Sequence, residues 1–492
     1  LIADNAINEL NAYAPGMEIE GTTATLLHTT VVSNTGGDGV GVRVENANVE
    51  LINSIIATQT TGVENDGSLV IDGVLWHANG TNTSGFPSIS NAYIDDPAFV
   101  DPAGGDYHIG PTSKAIDRGV DAGVAADIDG DLRPAGLAPD LGADEYRTCL
   151  VRLNGAFYDT VQAAVDASID VHDVVQIAGT CEGVETHGGT EQVVYLDKTL
   201  TLRGGYSADF TGRDPAQYPT TLDAQGAGRV LLITGDITPT VEGLRITGGQ
   251  ANIGAGIYAI NATPTLSHNV VMENHVTDNG GGILVYNGGA KLVGNRIISN
   301  TAVNTGGGLR VLSVSHFIAA SNVFANNTAG DNGDGLYVQN APVELYHSTV
   351  VNNGETGVYV ESGTVALTNT IVASQTTGLH ADAGATIDVD SVLWHANGAN
   401  TAGAINVTGA LTGDPAFVDP AGGDYHITLA SPAVDAGVPI TPAWADIDGV
   451  HHSALAPDLG ADETSALLLT KRGPSLADIA APITYTLTVT NT

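Results

Sequence analysis

Short apolar runs of three to five residues, many of them β-branched, recur along the chain between Asn and Gly, as in NRIISN (295–300) and GGGLRV (306–311). Their spacing is regular. Asn269, Asn295, Asn322, Ser348, Asn369 and Ser391 head equivalent segments at steps of 26, 27, 26, 21 and 22 residues. Two residues after each stands an apolar side chain: Val271, Ile297, Phe324, Val350, Ile371 and Leu393. Asn274, Asn300, Asn327 and Asn353 keep the same step, and a glycine precedes an apolar residue at Gly282, Gly308, Gly335, Gly357 and Gly378. Periods of about 20–30 residues with short strand-like runs indicate a solenoid. A leucine-rich repeat would need an L-x-x-L-x-L frame and a helix per repeat, and the sequence has neither. The pattern therefore predicts an all-β parallel β-helix. Its stacked coils would lie about 4.8 Å apart, with inward side chains in ladders and Asn at corners that need left-handed backbone.

A longer repeat overlies the short one. DPAFVDPAGGDYHI stands at 96–109 and again at 414–427, and residues 26–146 match 344–464 with small gaps. The chain thus reads as tandem modules: the C-terminal half of a first over 1–146 and a complete second over 147–464. A β-helix end exposes unpaired backbone and core, so each end needs cover. FYDTVQAAVDASI (157–169) is amphipathic, with Val161, Val165 and Ile169 on one face. It is expected to cap the second module within about 147–181. The Pro- and Asp-rich stretch 414–464 is expected to close the coil stack at the other end. Residues 465–492 read as a linker and the first strands of a further β segment, since Ile483, Tyr485, Leu487 and Val489 alternate with threonines. Leu1 is not a start methionine. Both ends are expected to continue into a longer polypeptide or to be completed by neighbouring subunits.

Composition narrows the partners. The formal net charge of −39 argues against nucleic acid, and no Lys or Arg lies between Val311 and Thr470 to fix a polyuronate. No run of eighteen apolar residues suggests membrane insertion. Cys149 and Cys181 are expected to form a disulfide joining the strand before the capping helix to the strand after it, which suits an oxidising compartment.

Together with the solenoid pattern, LTLRGGYSADFTGRDPAQYPTTLDAQG (200–226), VEGLRITGG (241–249) and the ending SPAVDAG…ADIDG…APDLGADE (431–463) resemble secreted bacterial right-handed parallel β-helix proteins of the pectate-lyase-like superfamily. The final LLLTKRGPSLADIAAPITYTLTVTNT (467–492) resembles the opening of an immunoglobulin-like repeat of bacterial surface proteins. The resemblance implies a right-handed helix and an extracellular or cell-surface location. It does not imply a reaction.

Enzymes of that superfamily use Arg or Lys with calcium, or grouped carboxylates. The ladders here carry Asn, Ser, Thr and Gly where such groups would stand; Asp388 and Asp390 are the nearest to a strand pair, and the first module keeps only Asp72. No catalytic residue is assigned. ADIDGD (126–131) offers Asp127, Asp129 and Asp131, and its second copy offers Asp446 and Asp448. These are candidate calcium ligands around a tight turn, against the alternative that they bond turn N–H groups. Trp76 and Trp394 could stack a sugar ring or fill the wide end of the coil stack. The sequence reading is a non-enzymatic extracellular structural or adhesive protein, self-associating or continuing end to end. The rival reading is a carbohydrate-active β-helix that binds or cleaves polysaccharide.

Overall fold

The computed structural model describes residues 1–3, 5–7, 16–36, 39–131, 133–135, 138–464, 467–472 and 486–491. Its contacts divide the chain into two units, Leu1–Thr148 and Cys149–Thr492. Each is built on a parallel β-solenoid, with about 15 turns between them.

In the second unit one coil consists of the strands Ile257–Ile260, Thr265–Ser267, Val270–Met272 and His275–Val276. Each pairs in parallel with its counterpart one coil later. Repetition builds three long sheets of 18, 10 and 4 strands. In the first unit the long strands Val40–Ala57 and Thr61–His77 pair along their length, and Ser88–Ile94 adds to the second of them.

The inward side chains stack as the alternation predicts. Val271, Ile297, Phe324, Val350, Val372 and Trp394 form one ladder, buried inside a single apolar cluster. The expected ladder slips by one residue at its C-terminal end. Thr349 pairs with Ile371 and Val350 with Val372, so Ile371 and Leu393 point outward. The coil step there is 22 residues, and reading 21 moved the side chains to the opposite face.

The Asn ladders are hydrogen-bonded throughout. Asn269 Nδ2 donates to Val241 O (2.8 Å) and to Asn295 Oδ1 (3.1 Å), and Asn295 repeats this to Leu266 O and Asn322 Oδ1. Asn274, Asn300 and Asn327 do the same one corner on, down to Asn353, whose backbone N–H donates to Gln375 Oε1. Left-handed backbone belongs to the residue before each ladder Asn, as at His268, Ser321, Ser299 and Asn326. The amide bonds up and down the stack, and its neighbour makes the bend. Gly282 is dictated by close approach: a Cβ there would come within 2.6 Å of Gly308 O and 2.8 Å of Asn300 Nδ2.

The second unit is capped at its start. The helix Val161–Ala167, N-capped by the Thr160 hydroxyl, buries Val161, Ala164 and Val165. It is shorter than expected, and Ile169 is 97% exposed. Asp173 ends it by accepting from the Ser168 hydroxyl and from the N–H groups of Ile169 and Asp170. Cys149 and Cys181 are disulfide-bonded with Cα atoms 4.6 Å apart, joining Cys149–Leu153 to Val174–Glu182. Near the C-terminus Leu467–Arg472 and Thr486–Asn491 pair antiparallel. The expected shared face of Ile483, Tyr485, Leu487 and Val489 lies outside the described residues or side chains. Among the described residues no helix is long and apolar enough to cross a membrane.

Candidate functional site

The duplicated ending does not close the coil stack; it lies on its flank. Several strands are apolar on both faces, and their outward residues need cover. In the second unit Val323, Ala325, Val351, Ile371, Ala373 and Leu393 pack under Tyr425, Ile427, Ala433, Leu459 and Ala461 of the ending. In the first, Val32, Ile55, Ala57 and Leu75 pack under Tyr107, Ile109, Ala115 and Leu141. Buried carboxylates hold this irregular segment by collecting backbone N–H groups. Asp140 accepts from Asp117 and Tyr146 (both 2.7 Å), and Asp458 from Asp435 (2.6 Å) and Thr464 (2.7 Å). Glu145 accepts from Ala135 and Asp140, and Glu463 from Ser453 and Asp458. Burial pushes Asp140 up to about 7, and the adjacent Glu145 adds to the rise. Each unpaired buried N–H would cost about 1–3 kcal/mol, so these acids could hardly vary between copies.

The candidate calcium residues separate into two roles. Asp127 takes the N–H groups of Asp129 and Asp131 on one oxygen and that of Glu145 on the other. Asp446 does the same with Asp448, Val450 and Glu463. Both carboxylates shape the turn, and Asp131 lies 3.9 Å from the Arg147 guanidinium. Asp129 and Asp448 instead meet histidines that the sequence reading left aside. His108 Nε2 lies 2.6 Å from Asp129 Oδ2 and its Nδ1 2.5 Å from Asp106 Oδ1. His426 stands in the same way between Asp448 (2.9 Å) and Asp424 (2.5 Å). Asp144 and Asp462 complete the two clusters. Partial burial disfavours the charge on His108, but Asp106, Asp144 and Asp129 outweigh it and raise the imidazole to about 9. Asp448 leads the equal rise at His426. The D-Y-H-I spelling of the repeated hairpin was the signal that could have found them.

Trp76 and Trp394 are 3% and 4% exposed and sit in the cores. The sugar-stacking expectation is therefore corrected: each indole fills the inward ladder one coil before the last strand, beside Gly62 or Gly378. Asp388 and Asp390 do share an exposed face, where Asn406 donates to Asp388 (2.7 Å) and Thr408 lies 3.3 Å from Asp390.

A second group emerges on the outer face of the 10-stranded sheet. Arg310, Tyr337, Tyr359 and His380 are successive partners. Tyr337 and Tyr359 stack 5.5 Å apart, and Tyr359 and His380 4.7 Å apart. Tyr337 donates to Glu361 and Tyr359 to Asp382 (2.8 Å). Burial and Asp382 raise Tyr359 to about 12, so both phenols stay protonated donors. At the matching place the first unit pairs Glu45 with Asp66, beside an Arg43–Glu64 ion pair of 2.8 Å. Carboxylates in neighbouring coils therefore recur on this face in both units. The one-residue spacing from an apolar strand end made them look like ordinary turn residues.

Residues 223–375 match the right handed beta helix region family. No curated protein matches the chain. The matched stretch spans the regular coils of the second unit, from the Asp223 strand to Gln375 at the foot of the second Asn ladder. The chain's architecture is that of a right-handed β-helix, a fold compatible with structural and carbohydrate-related roles.

Proposed function

We propose that this chain is a structural or adhesive protein that works outside the cell, its β-helix units forming part of a fibre, sheath or surface layer. One observation carries this reading. From unit to unit the chain repeats the residues that hold the scaffold, while on the sheet face Arg43 and Glu64 give way to Tyr359 and His380 beside the retained carboxylates. The stack itself is what the repetition preserves. The disulfide supports an oxidising location. The last strand of each stack supports end-to-end association. Ser88–Ile94 and Ile405–Thr412 pair on one side only among the described residues, and they expose Ile89, Ile94, Val407 and Leu411. A one-sided strand with apolar residues is a template for another strand. Sedimentation and electron microscopy of the purified chain test this. End-to-end oligomers that Val407→Lys and Leu411→Lys disperse are expected, and a strict monomer at high concentration overturns the fibre reading.

The carbohydrate-active reading has its own support. Glu45 with Asp66, and Glu361 with Asp382, place carboxylates on one sheet face in both units, with phenol donors beside the second pair.

A further inference from the structure

We infer that each flank binds a borderline divalent cation such as Zn²⁺, through His108, Asp129 and Asp144 in the first unit and His426, Asp448 and Asp462 in the second. In both sets the imidazole nitrogen and the two carboxylate oxygens lie within 4.8 Å of one another. An ion at bonding distance of about 2.0–2.2 Å from each fits between them with small side-chain movements.

Three features beyond proximity point to an ion. The first is a buried carboxylate with capacity to spare. Asp144 and Asp462 are 8% and 7% exposed, and each accepts one hydrogen bond on Oδ2, from Ile109 (2.7 Å) and Ile427 (2.8 Å). Their Oδ1 atoms accept none among the described residues. The second is the far side of each imidazole. Nδ1 is already held by Asp106 or Asp424, which fixes the ring and directs Nε2 toward the cluster, the carboxylate–histidine arrangement that supports metal ligands. The third is that different chain spacings reach one geometry. His108 and Asp129 are 21 residues apart, His426 and Asp448 22.

The donor set selects the ion. Calcium prefers six to eight oxygens, whereas one imidazole with two carboxylates suits zinc or a similar first-row metal. The fourth position falls to water, because His108 and Asp129 are open to solvent. Binding replaces the proton shared by Nε2 and the Asp carboxylate, so the ion releases a proton as it enters.

Titration calorimetry of the intact, metal-stripped chain with ZnCl₂, and separately with CaCl₂, tests the assignment. Two equivalents of Zn²⁺ per chain are expected, with a rise in melting temperature that CaCl₂ does not reproduce. Asp129→Asn and Asp448→Asn should each remove one equivalent, and the double variant both. Co²⁺ added to the unaltered chain should give visible d–d absorption that Zn²⁺ displaces, a readout independent of whether the variants fold. Absence of saturable Zn²⁺ binding, two equivalents retained in the double variant, or equal affinity for Ca²⁺ would overturn it.

Discussion

The two units close their flanks with the same acids and different side chains facing them. In the first, the side chain of Arg133 is buried against Glu145 at 2.7 Å. In the second, His452 meets Glu463 at 2.9 Å, and its ring stacks on His347 with centroids 3.8 Å apart. His28 and His347 otherwise stand alike, each with Nδ1 near a backbone carbonyl of the ending and Nε2 near a ladder Asn. The acids must reach several backbone N–H groups at set distances, which leaves them no room to vary. The side chain facing Glu145 or Glu463 has only to reach one carboxylate oxygen, and an Arg or a His serves. On the sheet face Arg43 and Glu64 give way to Tyr359 and His380, because the coil stack does not depend on them.

The largest effect should expose that asymmetry. Glu145→Ala leaves a permanently charged Arg133 buried without its partner, a loss of about 3–5 kcal/mol. Glu463→Ala leaves no buried guanidinium behind, so the loss should fall to the unpaired N–H groups of Ser453 and Asp458, about 1–3 kcal/mol. Hydrogen exchange across 138–146 and 456–464 measures both, and equal losses would break the comparison. Next, opening the 32-residue loop between Cys149 and Cys181 by Cys149→Ser with Cys181→Ser should cost about 3 kcal/mol. Exchange protection should fall in the second unit and not in the first.

Acid should act against one buried histidine in each flank. Burial, with His452 close by, lowers His347 to about 3; burial, with Arg133 close by, lowers His28 to about 4. A base depressed in the folded state contributes its stability above the unfolded value of about 6.5 and loses it as pH falls. His28 and His347 should each therefore contribute a loss of about 2–3 kcal/mol between pH 6.5 and 4.5. Below pH 4 the first should level off before the second. Melting curves of His347→Gln and His28→Gln against pH check this, and unchanged acid slopes would reject it. At the alkaline end of melting curves of the metal-stripped chain, the His108 and His426 staples, fully present below pH 6.5, should fade as pH rises through about 9. The smallest effect tests the freedom of the sheet face. Arg43→Tyr with Glu64→His should change the melting of the first unit by no more than about 0.5–1 kcal/mol, and a larger loss would show that the ion pair supports the stack.

Much of the fold was legible because a solenoid repeats its signals. The Asn and Gly steps predicted the coils, and Ile297 with Phe324 pair in adjacent coils, both fully buried. The slip at Ile371 came from judging one coil by its Asn rather than by the pair of apolar faces. Placing the ending on the flank was also within reach, since NVFAN and NTIVA are apolar on both faces and a strand buried on both faces needs a second cover. The repeated D-Y-H-I marked the histidines but not their partners, and nothing marked the Tyr–carboxylate face. Their long-range hydrogen bonds join residues 21 to 24 apart, close only because one coil, or one fold of the ending, brings them together.

The proposed structural or adhesive role is tested most directly by incubating the chain with neutral and uronate polysaccharides and assaying retention and products together. The prediction is no new reducing ends or unsaturated sugars, whether or not polysaccharide is retained, and the same result in Glu361→Gln and Asp382→Asn. Product formation that disappears in either variant would contradict it and make the tyrosine–carboxylate face an active site.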